Sequence, residues 1–573
     1  MAVGPTRDAI ALPGPERRLV WDPQWGILLP ILGLLLAFGV FPLFLVLFRS
    51  FLVESSLSLG NYLRVFGRPA NWRALVTTLQ MAGLTTLFSL LLAFPLAWLV
   101  SRTDIPGRHT LRVLFTVPYM IPPYLGAIAW SQLLNPDVGY INRGLKGLLG
   151  LAESPFDIYT FAGLTWVMVL FEMPLALLIL ASGLEKMDPA LEESARMAGA
   201  GRFRVLTRIT LPLLTPNLIS AGSLVFAAAI AAFGVPALIG SPGRIHVLTT
   251  RITSHLYQGG IGGLREATAL SSVLMIISLV VFLLATWLVG RRRFTVVSGK
   301  SLRPPIVPLG RLRGPVLVLA VSFVVLTVAV PLGSILLTSL LRSRGAVIRW
   351  SSLTLEKYQY VLTSYPDGWL ALKNSLLLGV ATATVGVLIG FFIAYLRVRI
   401  HSRPGRWADL FTTVAYATPG SVIAVGLILA FSGAYVVTLY GSMAILVIAY
   451  ATKHLAFGVR TAAASLEQVD HVLEEAARTS GAGWLQTLRH ILLPLIRPGV
   501  IAGWLLIFMP AFYELTMSIL LYSSGTMTVG VALYQLESYS DPQAASVLAV
   551  LVLVIVLVGN VLLRRVTGGQ VGL

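Results

Sequence analysis

Residues 184–216 read LEKMDPALEESARMAGAGRFRVLTRITLPLLTP, and residues 466–498 read LEQVDHVLEEAARTSGAGWLQTLRHILLPLIRP. The two stretches align without a gap at a constant offset of 282 residues, close to half of the 573-residue chain, and 17 of the 33 positions are identical. Such similarity between two polar loops at equivalent places in two hydropathy repeats marks an internal duplication. Leu184 to Met197 has helical spacing and no internal glycine, and Pro189 suits a helix start. Gly199-Ala200-Gly201 then breaks the helix, and a second amphipathic segment from Phe203 to Leu211 leads to Pro212, which opens the next apolar run. The expected unit is a helix, a glycine turn and a second helix, a compact lever displaying Glu and Arg at its surface. A hairpin lying in lipid headgroups would show the same amphipathic spacing. Anchorage by lipid alone would not require the second copy to keep Glu474, Glu475, Arg478, Gly481, Ala482, Gly483 and Pro494.

On either side of these loops the chain is apolar. Hydrophobic residues make up 56% of the sequence and charged residues 12%, so the solvent for most of the chain is lipid. Twelve spans are expected, each long enough to cross about 30 Å of hydrocarbon. The first six cover 26–49, 74–100, 111–134, 159–183, 213–239 and 268–290, and the second six cover 314–341, 372–396, 408–432, 436–459, 498–523 and 543–563. The fourth and tenth carry polar residues and are the least sharply marked. The first apolar run is too long for a signal-peptide core and is read as a retained helix.

The net charge of +19 would suggest nucleic acid in a soluble protein. Here the arginines sit in short loops between apolar runs and act as topology determinants, so no nucleic-acid partner is expected. With the N-terminus inside, Arg7, Arg17, Arg18, Arg102, Arg108, Arg112, the cluster from Arg291 to Arg313, and Arg397 to Arg406 all fall on the cytoplasmic side. The resulting excess of inside charge, roughly two to one, favours cytoplasmic N- and C-termini. The expected organisation is a cytoplasmic segment 1–25, a six-span half 26–290 with its loop at 184–212, a basic proline-containing linker 291–313, a second half 314–565 with its loop at 466–494, and a tail 566–573. Six spans per repeat is an even number, so the halves are parallel repeats with both polar loops on one face and a pathway between them. The fold class is an all-α polytopic membrane protein of about 12 helices in two parallel six-helix repeats.

The pattern E-x-A-x-x-x-G, nine residues, then I-x-L-P occurs at Glu193, Ala195, Gly199, Ile209 and Leu211-Pro212, and again at Glu475, Ala477, Gly481, Ile491 and Leu493-Pro494. It resembles the EAA loop of binding-protein-dependent ABC-importer permeases. Two such loops in one chain resemble the fused permeases of the ferric-iron group. The stretch AFYELTMSILLYSSGTMTVGVALYQ, 511–535, and its first-half equivalent FGVPALIGSPGRIHVLTTRI, 233–252, lean toward the same group. Polyamine, thiamine, phosphonate and sulfate importers share much of the pattern. The resemblance implies a type I importer fold in a prokaryotic inner membrane. It makes Glu192, Glu193, Ala195, Arg196, Gly199, Ala200 and Pro212, with Glu474, Glu475, Ala477, Arg478, Gly481, Ala482 and Pro494, the residues that couple to the ATPase. It implies two ATP-binding-cassette subunits and an outer substrate-binding protein as partners. The outer loop Asn135 to Asn142 resembles the segment that faces that binding protein.

No catalytic site, bound cofactor or metal is expected in the chain itself, and ATP with Mg belongs to the partner ATPase. Ser298-Gly299-Lys300-Ser301 comes nearest to a P-loop, but Phe294 stands where the first glycine is needed. The absence of cysteine excludes disulfides, thiolate metal sites and cysteine catalysis. Glu172, His454 and Glu514 fall inside spans, where ionisable groups are costly and usually face a cavity or one another. Glu172 and His454 occupy the same position under the 282-residue offset. Both are candidates for the pathway, as is Glu514; structural pairing or snorkelling is the competing explanation. An ion-coupled transporter could use such carboxylates, but it would not need two matching polar loops. Pro118, Pro122 and Pro123 in the third span, and Pro419-Gly420 in the ninth, free backbone carbonyls that only protein or water can satisfy.

Overall fold

A computed structural model describes residues 23–53, 56–291, 306–343, 349–433, 437–539 and 541–566. Arg7, Arg17 and Arg18, most of the basic linker and the Ser298–Ser301 stretch lie outside the described residues. Among those described, ten helices are long and apolar enough to span a membrane, and two further pairs of shorter helices qualify together. Ten of the expected spans therefore form single rods: Leu29–Ser50, Pro69–Arg102, Phe161–Lys186, Arg202–Ala231, Gly262–Gly290, Gly310–Leu340, Pro366–Val398, Met443–Gln468, Trp484–Phe512 and Pro542–Val566.

The third and ninth spans do not run straight as the hydropathy suggests. Arg108–Met120 and Pro123–Leu134 meet at 95°, and Arg403–Ala417 and Gly420–Phe431 meet at 111°. The cause is local. Proline lacks the N–H that would continue the helix and pushes the preceding residue into an extended conformation. Ile121 (φ −96, ψ 137) and Pro122 (φ −53, ψ 127) are both extended, as are Thr418 (φ −74, ψ 132) and Pro419 (φ −57, ψ 140). The second arm of each pair is buried along nearly its whole length, so it packs inside the protein and away from lipid. The fourth span, which carries polar residues, is the most buried of the ten rods, at 72% of its most apolar window; the tenth is half buried. Their ionisable residues Glu172 and His454 are buried in protein.

The second helix of each polar loop is continuous with the span that follows. Arg202–Ala231 and Trp484–Phe512 each run unbroken through the expected boundary at Pro212 or Pro494. A π-helical turn, Leu206–Thr210 or Leu488–Leu492, ends two residues before that proline. The same spacing recurs at Leu36–Val40 before Pro42 and Val325–Ala329 before Pro331. The wider turn relieves the clash that proline would make with the carbonyl one α-turn back.

Within each half, the second, fourth and fifth spans pack together, as do the eighth, tenth and eleventh. The eighth and tenth approach through glycine: a Cβ on Gly390 would lie 2.7 Å from the Gly458 carbonyl carbon, and one on Gly458 2.7 Å from the Gly386 oxygen. The first span of each half crosses over to the other half. Ile31 joins a core with Phe391, Tyr395, Val459 and Ile496, while Ala320, Val324 and Val328 join one with Ala97, Leu177 and Leu214. A third core, including Ile128, Leu170, Phe233, Val422, Tyr450 and Phe512, merges both halves. The halves are thus one packed body with exchanged first helices.

The repeat is not symmetric at the end opposite the polar loops. Tyr119 and Tyr416, just before the two bends, are 297 residues apart, against 282 for the polar loops. The 15 extra residues lie in the segment 135–160, whose second-half counterpart is 432–442. They include the helix Tyr140–Leu149, held by fully buried Asn142, whose side-chain amide donates to the carbonyls of Leu134, Asn135 and Phe156. The expected turn begins there, with Asn135 Oδ1 accepting from the backbone N–H groups of Asp137 and Val138.

Candidate functional site in two levers and a central cavity

Each polar loop folds as a lever. In the first, Pro189–Met197 is helical and Asp188 caps it by accepting from the Ala190 N–H at 2.9 Å. In the second, His471–Thr479 is capped by Asp470, which accepts from Val472 N–H at 3.1 Å. Both helices end in the same way. Gly199 has φ +82 and Gly481 φ +84. The N–H of Ala200 donates to Ala195 O at 2.9 Å and that of Gly199 to Arg196 O at 3.0 Å; Ala482 and Gly481 repeat this to Ala477 and Arg478, both at 3.0 Å. This is a Schellman closure, which needs a left-handed residue at the glycine position. A Cβ at Gly199 or Gly481 would meet nothing within 4 Å. Backbone angle, and not close approach within the chain, is therefore what requires glycine.

The adjacent glutamates of each lever do different things, which corrects the expectation that all its charges are displayed outward. Glu193 and Glu475 are exposed. Glu192 is buried, with its Oε2 3.4 Å from Arg102 Nη1 and its Oε1 accepting from Thr210 Oγ1 at 2.8 Å. Glu474 pairs in the same manner with Arg399 Nε at 2.8 Å, and Arg399 also donates to Val469 O at 2.8 Å. Arg102 and Arg399 terminate the second and eighth spans. Each lever is thus pinned by a buried ion pair to a central helix of its own half. The partners Arg102, Thr210 and Arg399 escaped the sequence reading. They lie 90 and 75 residues from their glutamates, or in the next helix, and no periodicity links them. The outward faces carry Arg196 and Arg478 with exposed apolar side chains: Leu191, Met197 and Phe203 on one lever, Val472, Leu473 and Leu485 on the other. Ala195 and Ala200 are half-buried against the glycine turn, Ala482 likewise, and Ala477 is buried; Pro212 and Pro494 are exposed.

The three ionisable residues expected in spans come together. Glu172, His454 and Glu514 line one cavity of about 240 Å³ between the halves. Four chain breaks converge there. Pro123 and Gly420 come from the two bends, while the turns 232–235 and 513–517 follow the ends of the fifth and eleventh spans. Glu172 and His454 are each the twelfth residue of a 26-residue span, which places them about 17 Å from the N-terminal end of their helices.

The cavity's charges are differently engaged. Glu514 accepts from the backbone N–H groups of Met517 (2.9 and 3.0 Å) and Ser518 (2.8 Å), and from Ser518 Oγ at 2.9 Å. It caps the short helix Ser518–Leu521 and so has a structural task. Lys453 donates to the carbonyls of Tyr416 (2.7 Å) and Thr418 (2.6 Å) at the end of the helix Arg403–Ala417. Those are the carbonyls freed by the Pro419 break, answered by a cation at a helix C-terminus. Both ring nitrogens of His454 and the hydroxyl of Tyr124 are buried without a hydrogen-bond partner among the described residues.

Residues 105–294 and 386–568 match the family described as binding-protein-dependent transport system inner membrane component. The chain is 27% identical to the ferric transport system permease protein FbpB of Actinobacillus pleuropneumoniae over 512 residues, covering 87% of this chain and 72% of the relative. It is 27% identical to a putative ferric transport system permease of Haemophilus influenzae over 512 residues, covering 87% and 78%. The molybdenum transport system permease ModB of Escherichia coli is 32% identical over 231 residues, 38% of this chain and 93% of the relative. Among solved structures, a bacterial ABC transporter importing alginate aligns over 47% of this chain and 95% of its own at 22% identity, with a TM-score of 0.41. Two matched segments, one per repeat and each carrying a lever, fix the conclusion that this multi-pass chain belongs to the binding-protein-dependent transport system inner membrane component family, with both permease halves in a single polypeptide.

Proposed function

We propose that this chain is the translocation subunit of an ATP-driven importer of ferric iron. The observation that carries the reading is the similarity, across both halves at once, to two ferric transport permeases. Hydrolysis falls to two separate ATP-binding-cassette subunits, one docked on each lever, with ATP and Mg held there. A substrate-binding protein delivers iron at the opposite face, where the first half carries its 15-residue insertion. N- and C-termini are cytoplasmic, as the loop arginines favour. The exposed residues Glu193, Arg196, Glu475 and Arg478, with the apolar side chains beside them, contact the ATPase. Glu192 and Glu474 hold the levers to the spans, and Gly199 and Gly481 shape them. Glu172 and His454 line the pathway, while Glu514 builds its wall. Polyamine import is the second reading, supported by 30% identity to a spermidine/putrescine permease of Escherichia coli over 222 residues, 37% of this chain.

The test is reconstitution of the assembled complex in proteoliposomes, with uptake of radioactive iron, spermidine and molybdate measured in parallel. Iron uptake dependent on ATP and on the binding protein is expected. Spermidine or molybdate uptake in its place overturns the iron assignment. Mass measurement of the same complex should give one copy of this chain and two ATPases; two copies of each would contradict the fused arrangement.

A further inference from the structure

The cavity contains more polar groups than its packing uses. Glu514 is occupied by helix capping, and Lys453 by two carbonyls and the face of the Tyr416 ring, 5.5 Å away. Three buried groups remain. Glu172 is 9% exposed, lies midway along the fourth span, and has no hydrogen bond or ion pair shown among the described residues. His454 is 8% exposed and stacks on Phe457, with both nitrogens unpartnered. Tyr124 is 4% exposed with a free hydroxyl. All three line the cavity.

A buried carboxylate without a donor is costly, and such groups take a cation or a proton. Phenol and imidazole beside it add neutral polar atoms. A cavity of about 240 Å³ has room for an ion with several waters. We infer that Glu172, His454 and Tyr124 form a transit site for a partly hydrated hard cation, with the Glu172 carboxylate as its charged ligand and the other two hydrogen-bonded to the ion's water shell. The inference rests on the importer reading given above and names the form in which its substrate crosses. Glu172 and His454 hold the same repeat position in the two halves, so an ion between them is approached by a charged group from one side and a neutral one from the other. Three groups of such unequal strength make a site that binds and releases, as conduction requires.

The test uses the whole complex in lipid during ATP turnover and the terbium ion, a hard trivalent cation whose emission is excited through nearby phenol rings such as Tyr124 and Tyr513. Saturable emission is expected from the wild type. Glu172→Gln should raise the terbium Kd about tenfold or more, and His454→Phe by a smaller factor. Glu356→Gln, at an exposed carboxylate of the second half, should leave it unchanged. Each variant should elute as one monodisperse complex with its ATPase subunits bound, showing that it is folded and assembled. Unaltered terbium binding in Glu172→Gln, or no saturable emission in the wild type, overturns the site. Terbium binding lost in Glu172→Gln in a complex that imports no iron would uphold the cation site and overturn the iron reading.

Discussion

Neighbouring glutamates in the levers should fail in opposite ways. The Arg102 side chain is 3% exposed and that of Glu192 is 9% exposed, with Thr210 completing the carboxylate's partners. Removing one member of a buried pair strands the other charge, at a cost of about 3–5 kcal/mol. Glu192→Ala should therefore lower the temperature at which the detergent-solubilised protein stays monodisperse, and loss of ATPase binding should follow that instability. Arg102→Met combined with Glu192→Leu removes both charges and fills their volume, so it should recover most of the stability. Glu193→Ala removes an exposed carboxylate and should leave stability within experimental error, yet weaken ATPase binding and uptake. The assay pairs thermal stability by size-exclusion fluorescence with ATPase pull-down for all three variants. A stable Glu192→Ala protein that nonetheless fails to bind the ATPase would refute the reasoning, because it would place Glu192 at the docking surface. A double variant no more stable than Glu192→Ala would refute the pairing energetics.

At Gly199 and Gly481 the left-handed backbone sets the cost and no atom blocks a side chain, so Gly199→Asn should retain most uptake. Gly199→Val should lose uptake, with membrane insertion intact, since a left-handed conformation costs most other residues about 1–2 kcal/mol; equal uptake by both variants would remove the backbone argument. Lys453→Met should strand the carbonyls of Tyr416 and Thr418 and destabilise the protein by about 1–3 kcal/mol, read as a lower unfolding temperature; an unchanged temperature would mean that water answers them. Single cysteines at Ser301 and Ser524 test orientation in this cysteine-free background: an impermeant reagent outside should label Ser524→Cys and spare Ser301→Cys, and the reverse pattern would invert the topology.

What is local or repeated could be read from the residues alone. Hydropathy placed ten spans, because a helix in lipid needs an unbroken apolar length whatever its neighbours. The 282-residue repeat located both levers, and their glycine turns were legible because turn geometry depends on a few adjacent residues. Glu172, His454 and Glu514 stood out because charge within an apolar run is rare. Tertiary structure alone decided the rest. The prolines at 122, 123 and 419 announced a disturbance, but packing against the other half turned it into bends of 95° and 111° with buried arms. The exchange of first spans joins segments with no pattern in common. Glu192 and Glu193 look alike in the chain, and Glu514 looks as free as Glu172. Arg102 and the N–H groups of Met517 and Ser518 separate them, and those partners are brought into place by helix packing. A side chain's surroundings are set by which elements meet, and that is a property of the folded bundle.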